Sequence, residues 1–465
     1  MHKLKIKISN ICKNEQVYAL DVLLGDFLGL NFDVETYEGD FIEITRPGNS
    51  GGTSHLAKLT LDASFFYKAK QDWLQPQSMP VLPLATWIPG EDGIKTNLIL
   101  PNIPVLYGSP GLVNNDNHIH LNLDIFGSTF FILSRYEEVI TKDRDGHGRF
   151  HAYLSHAYKN NYLNRPLVDE YVEILKECMR MLWPDLKFKE RKFSTNVSHD
   201  VDQVSRYQTR KNFYQYLRAI GGDLSRGYIK DLIYSPLSYF NNKDEISSYD
   251  PYNTFDWLMD ISEDNNIKST FNFICGKSSK NNANYYIEDN RIKNLIIKID
   301  DRGHIIGLHP SYDCYDNPDL IKKELNQLYN VLQSLNIKQE TIGSRMHYLR
   351  WKTPDTLVYL NGAGINKDTT LGYADHAGFR CGTCHSYAGY DLINQKTLDI
   401  RIEPLIVMDC TLFDYMKLNY EQAYDVAIDI KRKCQKMNGQ FNILWHNSYL
   451  QDSRQKTFYQ NLIQN

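Results

Sequence analysis

KFSTNVSHDVD, residues 192–202, is the stretch that decides the fold, because it reads as a strand that ends in polar, chemically active residues. Its apolar and polar residues alternate as they do in a β-strand. Strands and helices alternate over the roughly 275 residues that follow it, which predicts parallel strands joined by crossover helices. The predicted strands are 268–274, 304–309, 342–348 and 441–445, and the predicted helices lie around 292–299, 321–335 and 426–437. This length suits an α/β barrel.

The region before this strand is predicted to be a separate domain. Apolar residues recur at helical spacing from Val168 to Leu182, and Pro184 follows the last of them. We therefore predict a smaller α+β N-terminal domain of unknown role at 1–188 and the barrel domain at 189–465.

Composition excludes several classes of protein. The chain has 465 residues, of which 42% are hydrophobic and 23% charged, so disorder and small disulfide scaffolds are excluded. The net charge of −4 provides no positive field for nucleic acid. No apolar run approaches the roughly 18 residues of a membrane span. Eight scattered cysteines and an N-terminus unlike a signal peptide predict reduced thiols and a cytoplasmic protein.

Polar clusters stand where nearly every predicted strand of the second domain ends. The residues involved are His199, Asp200, Asp202, His309, Asp313, Arg345, His347, Tyr348, Asp368 and His446. In an α/β barrel, the carboxyl ends of the strands form the active face, so these residues are expected to converge.

The residue types at these strand ends suit a divalent metal. Asp202, His309 and Asp313 would supply oxygen, nitrogen and oxygen ligands, which fits Zn and is compatible with Mn, Fe, Co or Ni. A metal lowers the pKa of bound water, and Asp200 could accept the proton. His446 could protonate a leaving amine, and Arg345 could orient Asp200.

The order of five motifs resembles the polysaccharide deacetylase (NodB-homology) superfamily, which includes carbohydrate esterase family 4. The motifs are SHDVD, GHIIGLHPSYD, SRMHY, DTTLGYAD and ILWHNS, spread over about 190–450. The chain is most similar to a bacterial subgroup with an extra N-terminal region, on the segment DIFGSTFFILSRYEE at 124–138. The resemblance implies a distorted (β/α) barrel that removes an N-acetyl group from a sugar with the help of a metal.

The resemblance also implies a role for several residues. Asp200 matches the catalytic base, Asp202 and His309 match two metal ligands, and Arg345 matches the arginine that supports the base. The Tyr348 N–H would face the oxyanion. His446 matches the general acid, and Asp368, or less favourably Asp375, would support it. The residues expected at the substrate are His347, Leu444, Trp445 and Asp375.

Three positions depart from the family pattern. Asp313 stands where the family has its second metal histidine. Val201 separates two aspartates that are adjacent in the usual motif, so their roles could be exchanged. His347 replaces a proline and is an alternative metal ligand. These changes concern catalytic competence rather than the fold.

Two further segments bear on partners. Asp143 to Gly148 is similar to the start of an EF-hand loop, but Leu154 at the twelfth position excludes calcium. Residues 205–230 mix basic and aromatic residues, which suggests either a solvated helix or a peripheral contact with a membrane or an anionic glycan.

The sequence thus predicts a cytoplasmic, metal-dependent carbohydrate N-deacetylase in surface-polysaccharide or lipopolysaccharide assembly. Its substrate would be a carbohydrate, free or linked to a lipid or nucleotide, and nucleic acid is not expected as a partner. Two alternatives stay open: a degenerate fold that binds glycan or scaffolds a complex without hydrolysis, and a hydrolase of a non-sugar amide.

Overall fold

The computed structural model describes residues 3–47, 57–210, 212–225, 227, 229–241, 244–277 and 283–464. The strands are β1 (Leu4–Ser9), β2 (Phe32–Tyr37), β3 (Phe41–Thr45), β4 (Lys58–Asp62), β5 (Ala85–Trp87), β6 (Ile103–Val105), β7 (Gly108–Asn115), β8 (His118–Leu123), β9 (Ser194–Val201), β10 (Thr270–Phe273), β11 (Ile305–Leu308), β12 (Gly343–Ser344), β13 (Lys367–Asp368), β14 (Tyr387–Asp391), β15 (Lys396–Ile402), β16 (Val407–Met408) and β17 (Gln440–Leu444). The helices are α1 (Lys13–Leu20), α2 (Ser64–Gln71), α3 (Ile125–Leu133), α4 (Tyr136–Ile140), α5 (His156–Lys159), α6 (Leu167–Leu182), α7 (Phe213–Ser225), α8 (Ile229–Tyr239), α9 (Phe255–Asp264), α10 (Asn290–Asp301), α11 (Pro318–Ser334), α12 (Asp355–Ala363), α13 (Tyr420–Lys436) and α14 (Ser453–Ile463).

The N-terminal part contains a mixed six-stranded sheet in the order β2-β1-β3-β4-β8-β7. The pairs β1–β2 and β4–β8 are parallel, and the other three pairs are antiparallel. Strands β5 and β6 form a separate antiparallel pair. The sheet is therefore built from both hairpins and crossovers, which is why periodicity alone did not predict its fold.

The second part confirms the predicted α/β class. Nine strands form one sheet in the order β14-β15-β13-β12-β11-β10-β9-β17-β16, and every neighbouring pair except β14–β15 is parallel. Within the described ranges, the edge strands β14 and β16 do not pair, so the sheet does not close into a barrel. The antiparallel hairpin of β14 and β15 at one edge accounts for this departure from a regular (β/α) repeat.

Local signals place the helices close to their predicted positions. Asn317 caps α11, its side chain accepting the Leu320 N–H, and the following proline opens the helix. Helix α6 ends at Leu182, just before Pro184. The predicted strand at 342–348 shrinks to the two residues of β12, because the chain turns away after Ser344. Among the described helices, none combines the length and apolar character that crossing a membrane requires.

The two sheets share one hydrophobic core. A single cluster of buried side chains includes Leu4 in the first sheet and Ile443 in the second. The Tyr18 hydroxyl donates to the carbonyl of Ala388 at 2.8 Å, which links α1 to β14. The division into domains at 188/189 stays a prediction, since the packing is continuous across it.

A buried ion network joins α4 to the second sheet. The Glu138 carboxylate accepts hydrogen bonds from Arg135 at 3.0 Å, from Arg380 at 2.9 Å and from the Thr353 hydroxyl at 2.7 Å. Burial alone would raise the pKa of Glu138, but Arg380 and Arg135 lower it to about 2. Its stabilising contribution is therefore present above the ordinary carboxyl pKa and is lost as the pH falls toward 2.

Glu138→Gln is expected to lower the free energy of unfolding by about 3–5 kcal/mol, because it leaves the buried Arg380 guanidinium without its carboxylate, while Arg135 keeps Glu137 at 3.0 Å. Urea titration at pH 7 followed by circular dichroism measures the change. The control is Glu177→Gln, which breaks a surface pair with Arg180 at 3.6 Å and should cost at most about 1 kcal/mol. Equal losses in both variants would contradict the network's role.

Candidate metal centre and active site

The ends of the parallel strands bring the polar motifs together, as predicted. Asp200 and Asp202 lie two residues apart around the end of β9, so they share one face, while Val201 between them is buried. His309 follows β11 directly, and His446 lies two residues beyond the end of β17. The strand register therefore places these side chains at one edge of the sheet.

Asp202, His309 and His347 form a group that could hold a metal ion. Asp202 Oδ1 lies 3.3 Å from Nε2 of His309 and 3.4 Å from Nε2 of His347. Two ligand atoms that each lie about 2.0–2.1 Å from a tetrahedral zinc are roughly 3.3–3.4 Å apart. The spacing of these donors therefore fits a tetrahedral ion.

The hydrogen bonding of the group also fits a cation. His309 Nδ1 donates to the Arg345 carbonyl, so in the neutral ring Nε2 carries a lone pair that faces the Asp202 carboxylate. Asp202 Oδ1 is buried and forms no hydrogen bond with any described residue. Lone pairs that face one another across 3.3 Å repel, and a proton or a metal ion between them removes the repulsion.

The electrostatics of the group agree with this geometry. Burial would raise the pKa of Asp202, but His347 and His309 hold it well below its ordinary value. Burial would lower the pKa of His309, yet Asp200 and Asp202 raise it above the ordinary value. The site thus already attracts positive charge.

The structure corrects the third predicted ligand. Asp313 is 43% exposed, and its carboxylate lies 3.9 Å from the Arg350 guanidinium rather than within the group of three. The turn after His309 carries Asp313 outward, and the turn after β12 brings in His347. The alternative ligand of the sequence analysis is therefore the one placed beside Asp202.

Asp200 lies beside the three donors rather than among them. Its Oδ2 is 3.6 Å from His309 Nε2, and its Oδ1 accepts a hydrogen bond of 2.8 Å from the Asn272 amide. Arg345 approaches Asp200 only to 4.0 Å, and its guanidinium also donates to Ser198 Oγ at 2.9 Å. The group that bonds directly to the predicted base is thus Asn272, with Arg345 adding charge at longer range.

His446 is oriented by Asp409 and not by Asp368. His446 Nδ1 lies 2.8 Å from Asp409 Oδ1, and its Nε2 lies 3.6 Å from Asp202 Oδ2. Burial would lower the pKa of His446, but Asp409 raises it well above its ordinary value. The carboxylate thus favours a protonated imidazolium aimed at the site.

Asp368 has a structural role instead. It accepts hydrogen bonds from Ser344 Oγ at 2.6 Å and from the Thr370 N–H at 2.8 Å, so it ties β12 to β13. Burial raises its pKa to about 6. Asp368 was predicted to support His446 because it lies at the end of β13, and neighbouring strand ends were expected to converge.

Tyr348 lies in a strained turn at the rim of the site. Both Tyr348 (φ 62°) and Leu349 (φ 53°) have left-handed backbone conformations. The Tyr348 N–H donates to none of the residues that the structure describes, and its carbonyl accepts a hydrogen bond of 3.1 Å from Arg149. The N–H predicted to face the oxyanion is therefore free to donate, and Arg149 fixes the peptide that follows it.

A cavity of about 560 Å³ lies over the site, within the range of small-molecule sites. Its walls include the donors Asp202, His309 and His347, together with Asp200, His446, Tyr348, Leu444, Arg149, Arg210, Cys410, Asp414 and Tyr415. His347 and Leu444 thus line the cavity, and their contact with substrate stays a prediction.

Trp445 and Asp375 lie elsewhere. Trp445 is fully buried and packs on Phe458, because it points to the face of β17 opposite the cavity. Asp375 accepts the Ala152 N–H at 3.2 Å and anchors a loop. Neither side chain lines the cavity over the donors, and the predicted contact of both residues with substrate stays a prediction.

The comparisons with known proteins cover the two halves of the chain differently. A family described as "Family of unknown function (DUF7033)" matches residues 4–184. This match ends before Asp200 and thus includes none of the predicted site residues. No curated protein matches the chain.

Two solved structures resemble the chain at low identity. One, from Mycobacterium smegmatis and assigned as a polysaccharide deacetylase, is 15% identical with a TM-score of 0.38 and covers 60% of this chain and 84% of that one. The other, described as Puue allantoinase, is 9% identical with a TM-score of 0.35 and covers 59% of this chain and 83% of that one. Both TM-scores lie below 0.5, where a similarity supports neither a fold assignment nor a function.

Sequence analysis did not identify three residues of the site, which are Asp409, Asn272 and Arg149. Asp409 follows the apolar run LIVM at 405–408, the same signal of a strand ending in an acid that marked the other motifs. Asn272 lies inside β10, and Arg149 directly follows the segment Asp143 to Gly148 that is similar to the start of an EF-hand loop. Nothing in the local sequence of Asn272 or Arg149 separates these two from ordinary polar residues.

Asp409→Asn is expected to slow the cleavage of an amide roughly 10²-fold or more while slowing an activated acetate ester much less, because only the amide needs its leaving group protonated. The ratio of the two rates in one preparation is the measurement. Asp368→Asn is the matched control and should leave this ratio unchanged. If the ratio of amide to ester cleavage changes in Asp368→Asn and not in Asp409→Asn, then Asp368 is the carboxylate that supports His446.

Proposed function

We propose that this protein is a metal-dependent amide hydrolase that removes an N-acetyl group from an amino sugar. The observation that carries the proposal is the group of Asp202, His309 and His347, with Asp200 3.6 Å from His309 and the Asp409-bound His446 3.6 Å from Asp202. From the order of the five motifs we infer the sugar substrate, free or linked to a lipid or nucleotide, and a role in bacterial surface-polysaccharide or lipopolysaccharide assembly. The distorted barrel type and the cytoplasmic location stay predictions.

The three donors would hold a divalent ion, with zinc favoured and Mn, Fe, Co or Ni compatible with the ligand types. Such an ion supplies Lewis-acid chemistry that activates water and polarises the acyl oxygen.

The chain's own residues supply the proton transfers. Asp200 accepts a proton from the attacking water, whose oxygen bonds to the acyl carbon. The Tyr348 N–H donates to the oxygen that becomes negative. His446 transfers its Nε2 proton to the nitrogen as the carbon–nitrogen bond breaks, and Asp409 orients the ring. The products are acetate and a free amine.

The test measures acetate and free amine released by the zinc-loaded protein. The substrates are an oligomer of N-acetylglucosamine, a nucleotide-linked N-acetylhexosamine, and N-acetylated peptides that carry no sugar. We expect equimolar acetate and amine from a sugar substrate, loss of activity on chelation, and recovery when zinc is restored.

Two results would overturn the proposal. Cleavage of only the sugar-free amides would indicate a non-sugar hydrolase. Stoichiometric metal binding and glycan binding without any release of acetate would indicate a degenerate, non-hydrolytic protein.

A further inference from the structure

The helices α7 and α8 form a hairpin whose outer face is apolar. Six large side chains of this face are between 49% and 69% exposed: Phe213, Leu217, Leu224, Ile229, Ile233 and Leu237. Within each helix they recur at intervals of four, seven or eight residues, which places them along one stripe. Monomeric soluble proteins seldom expose so many apolar side chains in one place.

The inner face of the same hairpin combines a small aromatic cluster, in which the rings of Tyr216 and Tyr239 stack at 4.3 Å, with buried polar pairs. Ser238 donates to the Asp250 carboxylate at 2.7 Å, and Ser235 and the Tyr216 hydroxyl lie 3.0 Å apart. Asp223 is buried and pairs with Arg206 at 2.7 Å. The hairpin thus already packs an aromatic cluster and several polar pairs on its inner side, and the apolar stripe on its outer side is an additional, exposed surface.

The charge of this segment indicates what covers the apolar face. Residues 206–243 contain seven Lys or Arg and two Asp, a net charge of +5 in a chain whose total is −4. Five of these charges, at positions 211, 226, 230, 231 and 243, belong to side chains outside the described part of the structure. Apolar side chains beside basic residues, with tyrosines between them, are typical of segments that lie in the interface of an anionic membrane.

We propose that this hairpin docks on an anionic lipid surface. The apolar stripe of α7 and α8 enters the boundary between headgroups and acyl chains, and the net positive charge of the segment is attracted to the anionic headgroups. The proposal does not depend on the chemistry of the site. If the proposed function also holds, a lipid-carried substrate would reach the cavity from the docked side, because Gln203 and Arg210 line the cavity just before α7.

The test is co-sedimentation of the full-length protein with vesicles of phosphatidylcholine that contain 30% phosphatidylserine, in comparison with pure phosphatidylcholine vesicles. We expect binding to the anionic vesicles that weakens as salt is added. The double variant Leu217→Ser/Ile233→Ser should bind these vesicles roughly 10- to 100-fold more weakly, since both side chains lose their transfer to the apolar phase. Both residues are exposed, so folding should be retained.

The matched control is Val81→Ser/Ile393→Ser, which alters two side chains that are 70% and 60% exposed outside the hairpin and should bind like wild type. Absence of wild-type binding, or equal binding by the hairpin variant, would overturn the proposal. A dimer seen by sedimentation equilibrium would also overturn the proposal, if Leu217→Ser/Ile233→Ser is monomeric and the wild-type protein does not bind vesicles. A second copy of the chain would then cover this face. Loss of acetate release with intact vesicle binding would count against the proposed function alone.

Discussion

His347→Ala is expected to weaken zinc binding at least about 100-fold, since it removes one of three donors from an incomplete tetrahedral shell. The purified wild-type protein should hold about one zinc per chain, and the variant should hold almost none after dialysis. Metal analysis, followed by competition with a chromophoric chelator, measures the stoichiometry and the affinity. His347 Nε2 lies 3.4 Å from Asp202 Oδ1, which is the observation behind this expectation.

Asp313→Ala is the matched control for this experiment. Asp313 is the residue that motif matching alone assigns to the metal, but its carboxylate faces Arg350 at 3.9 Å. We expect this variant to retain wild-type zinc content. If Asp313→Ala loses zinc and His347→Ala retains it, the third ligand is Asp313, as the motif predicts, and not His347, as the distances indicate.

Asp200→Asn is expected to reduce the rate of amide hydrolysis by about 10²–10⁴ while leaving the zinc content near that of wild type. The substitution keeps the size of the side chain and the oxygen that accepts the Asn272 amide at 2.8 Å. It removes the capacity to take a proton from water, together with the negative charge that acts on His309 from 3.6 Å. Rates of acetate release and metal content, measured on the same preparation, test both parts.

Asp202→Asn serves as the comparison, because Asp202 Oδ1 lies between two histidine nitrogens and should be needed for the metal. Loss of zinc in Asp200→Asn, with zinc retained in Asp202→Asn, would exchange the two roles. The sequence left this exchange open, since Val201 separates the two aspartates. The structure favours the first assignment by placing Asp200 outside the group of donors.

The N-terminal part contributes to the site through a segment that no motif identifies. Arg149 donates to the Tyr348 carbonyl at 3.1 Å and to Asp145 at 2.6 Å, and it lines the cavity. Its charge is balanced by Asp145, so its effect is to hold the left-handed turn at Tyr348. The region before residue 188 is therefore part of the architecture of the candidate site.

Several features were predictable because they depend on local order along the chain. Strand β9 and helices α6 and α11 follow from periodicity and from Pro184 and the cap at Asn317. Convergence of the strand ends follows from parallel pairing, which brings the ends of β9, β11 and β17 to one edge.

Other features depended on turns and on contacts between distant segments. The direction of the turn after β12 decides that His347, and not Asp313, stands beside Asp202. The partner of His446 depends on β16 lying next to β17, which brings Asp409 within 2.8 Å across 37 residues.

The α/β class, the order of the polar motifs and the residue types at the strand ends follow from periodicity and residue identity alone. Three features required the three-dimensional arrangement: the donor that completes the group of three, the carboxylate beside His446, and the outward apolar stripe of α7 and α8. Those outcomes depend on the directions of side chains after turns and on pairing between distant strands. The spacing of residues along the chain predicts neither of these.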